Sequence, residues 1–369
     1  MMRDEKEKVK INHDYFLLST KWENLKYFVN QGSVIAHLID RFKWHYGPKY
    51  FIAPRFPTHL EIEASSACQM RCPMCKTTDM VDAGAANFGN MDYGLYKKII
   101  NDCVHNSLYS IKLSWRGEPL LNPDIVKMVS YAKNNGIKDV AFLTNGERLN
   151  HELTRDLVNA GLDWISISFD GMEDIYNKIR KPAKFEETVE KIKYIRQYRE
   201  SVKRKKPLIR IQSIHSAIMG RENEFLNLWR NVADRVNFIA DQKRSINQKD
   251  YRHDPCYICP SPWQRMCISF NGKVVQCYGD YMEGNILGNA KEKSLKEIWH
   301  DKPFCELRGL MKNRKRLATK PCRTCSDGGI TEQEEVMVGD RKIRAVHYVH
   351  QGIDVKNFEA SSKEIHGES

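Results

Sequence analysis

The sequence predicts an α/β protein, a partial (β/α)6 barrel followed by a small cysteine-bearing extension. Three observations predict it. Short apolar runs alternate with amphipathic helical segments from about residue 58 to 241, and polar turns containing glycine follow strand ends along one rim. Past residue 250 the alternation gives way to a hairpin set among spaced cysteines. Repeated β/α units imply a parallel sheet with right-handed crossovers. An open or partial barrel satisfies that pattern, and a doubly wound sheet is the alternative.

Residues 1–57 read as an N-terminal helical cap. Leu18, Trp22, Leu25 and Val29, then Ile35, Leu38, Ile39 and Phe42, recur at helical spacing. The basic, aromatic stretch "DRFKWHYGPKYFIAPRFP" suits docking on the main domain better than a membrane surface. Residues 58–250 form the barrel. Its strands are "HLEIEA" (59–64), "YSIKLSW" (109–115), "DVAFLTN" (139–145), "WISISF" (164–169), "LIRIQSI" (208–214) and "RVNFIA" (235–240). Helices fall near 92–105, 122–135, 150–160, 184–202 and 222–232. The extension, 251–330, contains the hairpin "MCISF-NG-KVVQC" with Asn271-Gly272 as a two-residue turn, then helices near 294–300 and 302–311. The polar tail, 331–369, gives no structural signal.

With 41% hydrophobic and 29% charged residues, the chain can bury a sizeable core and fits a soluble globular class. No apolar run approaches the roughly 18 residues of a membrane span. The start "MMRDEKEKVKINHD" lacks the apolar core of a secretion signal, so cytoplasm is the expected compartment. The net charge of +12 permits acidic partners such as phosphates or nucleotide sugars. Its densest run, "SVKRKKP" (201–207), reads as a solvated helix end, and without a nucleic-acid fold motif no nucleic-acid partner is expected. Eleven cysteines, an odd number in a chain without an export signal, favour metal or redox use over disulfides.

In both candidate folds chemistry gathers at the carboxyl ends of the strands. There the first strand is followed by Cys68, Cys72 and Cys75, spaced C-x3-C-x2-C. The next three strands end in "RGEP" (116–119), "TNG" (144–146) and "SFDG" (168–171). A four-iron cube normally takes one thiolate per iron. Three ligands leave one iron open to chelate a small molecule, as catalytic zinc keeps an open position. A structural zinc would want a fourth ligand nearby, and the next histidine downstream is His105.

The triad and its rim resemble the radical S-adenosylmethionine (SAM) enzymes. The resemblance covers roughly residues 58–326 and implies a radical SAM partial barrel whose open iron binds SAM. It implies reductive cleavage of SAM to methionine and a hydrogen-abstracting 5′-deoxyadenosyl radical. A reductant such as flavodoxin or ferredoxin is then the implied electron donor. By the same resemblance Gly117 and Glu118 sit where the family grips the methionine amino group, although Arg116 replaces the family's first glycine. Met74 takes the place of a usually aromatic adenine contact. Ser168 and Asp170 match the ribose-binding strand end, Arg180 an arginine that pairs with SAM's carboxylate, and Asn145 is a further SAM contact.

Cys259, Cys277, Cys322 and Cys325 follow C-x12-G-x4-C, then C-x2-C. This resembles the shortened SPASM, or twitch, extension of the same superfamily. It implies a second [4Fe–4S] cluster with every iron ligated, suited to electron transfer. One rival pairs Cys256-x2-Cys259 with Cys322-x2-Cys325 around zinc, which leaves Cys277 over. Cys103 and Cys305 read as small core residues, and Cys267 as part of the hairpin core.

The expected reaction is dehydrogenation of a small polar or sugar-like substrate, with Asp280 or Asp241 as the base. A SPASM-type maturase acting on a ribosomal peptide is the first alternative. A non-catalytic cluster- or zinc-bearing nucleic-acid binder is the second.

Overall fold

The computed structural model describes residues 15–17, 34–82, 84, 88–239, 253–323, 325–338 and 341–348. Strand β1 (Tyr15–Leu17) precedes six strands: β2 (His59–Ile62), β3 (Ser110–Lys112), β4 (Asp139–Thr144), β5 (Trp164–Ser168), β6 (Leu208–Ile214) and β7 (Arg235–Ile239). From β2 to β7 each strand pairs in parallel with the next in the chain. The order never reverses, so the doubly wound alternative fails and the partial barrel stands. The barrel strands carry a buried apolar row at alternate positions, with polar residues such as Glu61, Ser166 and Arg210 between them. Leu60, Ile62, Ile111, Val140, Phe142, Ile165, Ile167, Ile209 and Ile211 are all buried.

The helices lie where apolar spacing places them. The helix Tyr93–His105 is capped by Asp92, which accepts from Leu95 N, and buries Leu95, Tyr96, Ile99, Ile100 and Cys103 along one stripe. His151–Ala160 starts on an Asn150 cap and stops at Gly161, whose φ of 89° is the left-handed conformation that ends helices. Among the described residues no helix is long and apolar enough to cross a membrane.

The extension continues the barrel's own sheet. Strand β8 (Arg265–Ile268) pairs in parallel with β2 on the side away from β3, and β9 (Lys273–Val275) and β10 (Ile286–Asn289) follow antiparallel. At the opposite edge β1 pairs antiparallel with β7. The leading segment, expected to be helical, therefore also contains a sheet strand besides its helix Val34–Lys49. Leu18, Trp22, Leu25 and Val29 lie outside the described residues. The tail that carried no signal contains a hairpin, β11 (Thr331–Val338) with β12 (Arg341–Tyr348).

Two local expectations are corrected. Cys305 is exposed rather than packed in a core, its thiol donating to His300 O over 3.4 Å, whereas Cys103 and Cys267 are buried as expected. The β8–β9 turn is three residues long, not two. Ser269 N donates to Lys273 O, and Gly272 N donates back to Ser269 O. Gly272 sits at φ +93°, so the loop is a turn closed by a left-handed residue rather than a two-residue mirror turn. A side chain there would meet Asn289 Oδ1 at 3.1 Å and Leu95 Cδ2 at 3.3 Å. Gly272→Ala should destabilise the protein by about 1–2 kcal/mol, measured as a lowered denaturant midpoint; an unchanged midpoint would show that the turn relaxes freely.

Candidate functional site

The loop after β2 runs along the barrel rim and faces a cavity of about 220 Å³. Cys68, Cys72, Cys75, Met74, Gly117, Glu118, Asn145, Ser168, Asp170 and Arg180 all line it. The loops after four strands, with the end of the helix Glu173–Ile179 supplying Arg180, thus deliver to one place every barrel residue singled out by sequence, except Asp241, which lies outside the described residues. Trp115, Gln212, Ile214, Ile239 and Tyr281 join them.

Glycine at 117 is a steric requirement. A Cβ there would lie 2.4 Å from Ala67 O and 2.6 Å from Ser65 O, because the loop after the second barrel strand packs backbone to backbone on the cysteine loop. Glu118 N seals that contact by donating to Ala67 O over 2.7 Å. The Glu118 carboxylate is buried and accepts from Thr144 Oγ1 (2.6 Å), Asn145 N (2.7 Å) and Leu120 N (3.0 Å). Desolvation raises its pKa to about 7, with those bonds opposing. The same network turns Asn145 toward the triad, its Nδ2 lying 3.7 Å from Cys68 Sγ.

Asp170 and Arg180 face each other. Arg180 Nε donates to Asp170 Oδ2 over 2.8 Å, its Nη2 donates to the same oxygen, and Nη1 lies 3.7 Å from Cys72 Sγ. The other Asp170 oxygen accepts from Ile214 N at 2.7 Å. Asp170 therefore aims Arg180 at the triad instead of standing open toward the cavity. Burial pushes the Cys68 thiol up to about 11 and raises that of Cys72, with Arg180 acting the other way on Cys72.

Arg116, whose role the sequence left open, joins barrel and extension. Its Nε and Nη2 make a fork to the two oxygens of Glu63, each at 2.7 Å. Nη2 also donates to Glu283 Oε1 (2.9 Å) and Nη1 to Tyr281 O (2.9 Å). The guanidinium stacks 4.1 Å above the Trp115 ring, and Trp115 Nε1 donates to Tyr278 O over 2.7 Å. Glu63 is fully buried, so removing its partner leaves a buried charge uncompensated. Arg116→Met should cost about 3–5 kcal/mol in denaturant unfolding, and adding Glu63→Gln should recover part of it; equal losses in single and double variants would refute the coupling.

In the extension, the thiols acting most strongly on Cys277 are those of Cys325, Cys259 and Cys322. Three of these four are at least half-covered and Cys322 is buried, while Cys256 is exposed. Among the described residues no three His, Cys, Asp or Glu side chains are gathered as a single metal ion would need. An iron–sulfur cluster, in which each iron takes its own thiolate, asks for a wider frame. The donor sets fit two clusters, one short of a ligand and one complete. Asp280 is not brought to the cavity. It is buried, and its two oxygens accept from Gly284 N (2.7 Å) and Asn285 N (2.9 Å), so it shapes the loop after Cys277.

Residues 62–211 match the model of the radical SAM superfamily, and residues 256–326 match that of an iron–sulfur cluster-binding domain, SPASM. The chain belongs to the radical SAM superfamily and carries a SPASM domain after its barrel. Its cofactors are SAM and [4Fe–4S] clusters. It is 27% identical over 318 residues to a tungsten-containing aldehyde ferredoxin oxidoreductase cofactor-modifying protein of Pyrococcus furiosus, a match covering 73% of this chain and 87% of the relative. Two solved structures share the fold. Native anSMEcpe with bound AdoMet has a TM-score of 0.54 at 16% identity, covering 74% of this chain and 89% of the other. BtrN in complex with AdoMet and 2-DOIA has a TM-score of 0.50 at 18% identity, covering 74% and 94%.

Proposed function

We propose that this protein is an oxidoreductase that dehydrogenates a small polar organic molecule of cofactor or sugar type. The observation that carries this is the division of seven thiols into a set of three on the cavity and a set of four in the extension, joined across the Trp115–Tyr278 bond. When bound, the cofactors supply a hydrogen-abstracting radical at the three-thiol site and an acceptor for the second electron at the four-thiol site. The Pyrococcus relative, whose name assigns it to modifying an enzyme cofactor, supports a small-molecule substrate over a peptide.

In this scheme Cys68, Cys72 and Cys75 hold the cluster with the open iron. Gly117 lets the backbone approach and Glu118 takes SAM's ammonium. Arg180, aimed by Asp170, meets SAM's carboxylate. Ser168 and Asn145 face the nucleoside, and Met74 lies against adenine. Trp115 and Tyr281 wall the cavity where it meets the extension. Asp280 is withdrawn as the base because its oxygens are engaged inside its own loop. Asp241, two residues beyond the cavity-lining Ile239, is retained for that role. It must come within hydrogen-bonding reach of the proton it removes.

Anaerobic reconstitution should load about eight irons, two cubes' worth, and about four would overturn the two-cluster scheme. Cys256→Ala should leave that number unchanged; loss of iron would revive the paired C-x2-C arrangement. Cys277→Ala should still yield 5′-deoxyadenosine from SAM under strong reductant yet fail to oxidise substrate. Deuterium carried into 5′-deoxyadenosine from labelled small molecules supports the proposal, and transfer only from a labelled peptide would assign the enzyme to peptide maturation instead.

A further inference from the structure

Gln276 immediately precedes Cys277 and is buried with its amide placed between two partners of opposite kind. Its Nε2 lies 3.0 Å from Cys322 Sγ and 3.1 Å from Thr319 Oγ1, while its Oε1 accepts from Asn285 Nδ2 at 2.7 Å. Amide nitrogen and oxygen are told apart by their network. Whether the Thr319 hydroxyl donates to Arg316 O or to the Cys322 sulfur, its oxygen is left to accept, so the nitrogen of Gln276 faces it. One amide hydrogen goes to Thr319 and the other is left for the sulfur of Cys322. The orientation is braced from behind. Gln276 N donates to Asn285 O over 3.0 Å, and Asn285 N in turn donates to the buried Asp280 over 2.9 Å. Asp280 thereby acquires a function, that of fixing the loop which fixes Gln276.

We propose that Gln276 is a positioning residue that sets the electron affinity of the SPASM-domain cluster by donating its amide N–H to the Cys322 thiolate. The proposal rests on the assignment of Cys259, Cys277, Cys322 and Cys325 as that cluster's ligands. A hydrogen bond to a cluster sulfur favours the reduced, more negative state, and such bonds are among the levers that set cluster potentials. An acceptor cluster benefits from this lever, because it must take an electron from an organic radical without a solvent dipole to help it. The buried Gln276 side chain supplies the dipole in fixed form. Its removal does not touch the sulfur ligands themselves.

The test is an EPR-monitored redox titration of the reconstituted full-length enzyme, with dithionite as reductant. Added SAM distinguishes the two clusters, since it binds only at an open iron. Gln276→Leu should keep about eight irons and weaken the electron affinity of the cluster that ignores SAM by about tenfold, a fall of about 59 mV for one electron. An unchanged midpoint with full iron content would overturn the proposal. If Gln276→Leu fails to hold iron, Asn285→Leu, which leaves the donor present but unbraced, should lower the same midpoint by a smaller amount, and no change there would equally overturn it. Wild-type protein that loads only about four irons would instead refute the ligand assignment beneath it.

Discussion

The site depends on one close approach of two stretches of backbone. At Gly117 the loop after the second barrel strand lies so near residues 65–67 that any side chain would be driven into carbonyl oxygen. The contact is polar as well as steric, because Glu118 N and Ala67 O pair across it. It fixes the cysteine loop against the loop that follows β3 rather than leaving it to solvent. From that contact the Glu118 carboxylate reaches Thr144 and Asn145, and Asn145 reaches Cys68. Loop, second strand and third strand are therefore positioned by one another.

On the far side of the same loop, charge replaces glycine as the organising element. Glu63 and Arg116 form a buried fork-to-fork pair, the geometry in which arginine outperforms lysine. Isolation of such a pair is expensive, and Glu283, Tyr281 O and Phe270 N supply the further bonds that make it tolerable. All three come from the SPASM domain. The replacement of the family's first glycine at position 116 thus ties the barrel rim to the domain that follows it.

What the sequence made legible was whatever is encoded within a few residues of itself. Alternation of apolar runs located the six barrel strands, since burial on both faces leaves a local pattern. The cysteine spacing and the turns at 116–119, 144–146 and 168–171 located the cavity for the same reason. The partners of Arg116 were not legible, because Glu283 is 167 residues away in the chain and is met only after folding. Asp280 misled because its proximity to Cys277 is a fact of sequence, whereas its engagement with Gly284 and Asn285 is a fact of the loop. Gln276 gave no signal at all. A buried glutamine before a cysteine acquires meaning only once Cys322 is brought beside it.

The parallel ladder between β2 and β8 has a consequence for how this molecule can be divided. Both neighbours of β2 are other strands, so the second domain occupies an edge that the barrel would otherwise present bare. A shortened chain ending near residue 250 would expose a row of unsatisfied amides beside a buried Glu63–Arg116 pair stripped of Phe270 N, Tyr281 O and Glu283. Exchange of either module for a foreign counterpart would require rebuilding that shared seam.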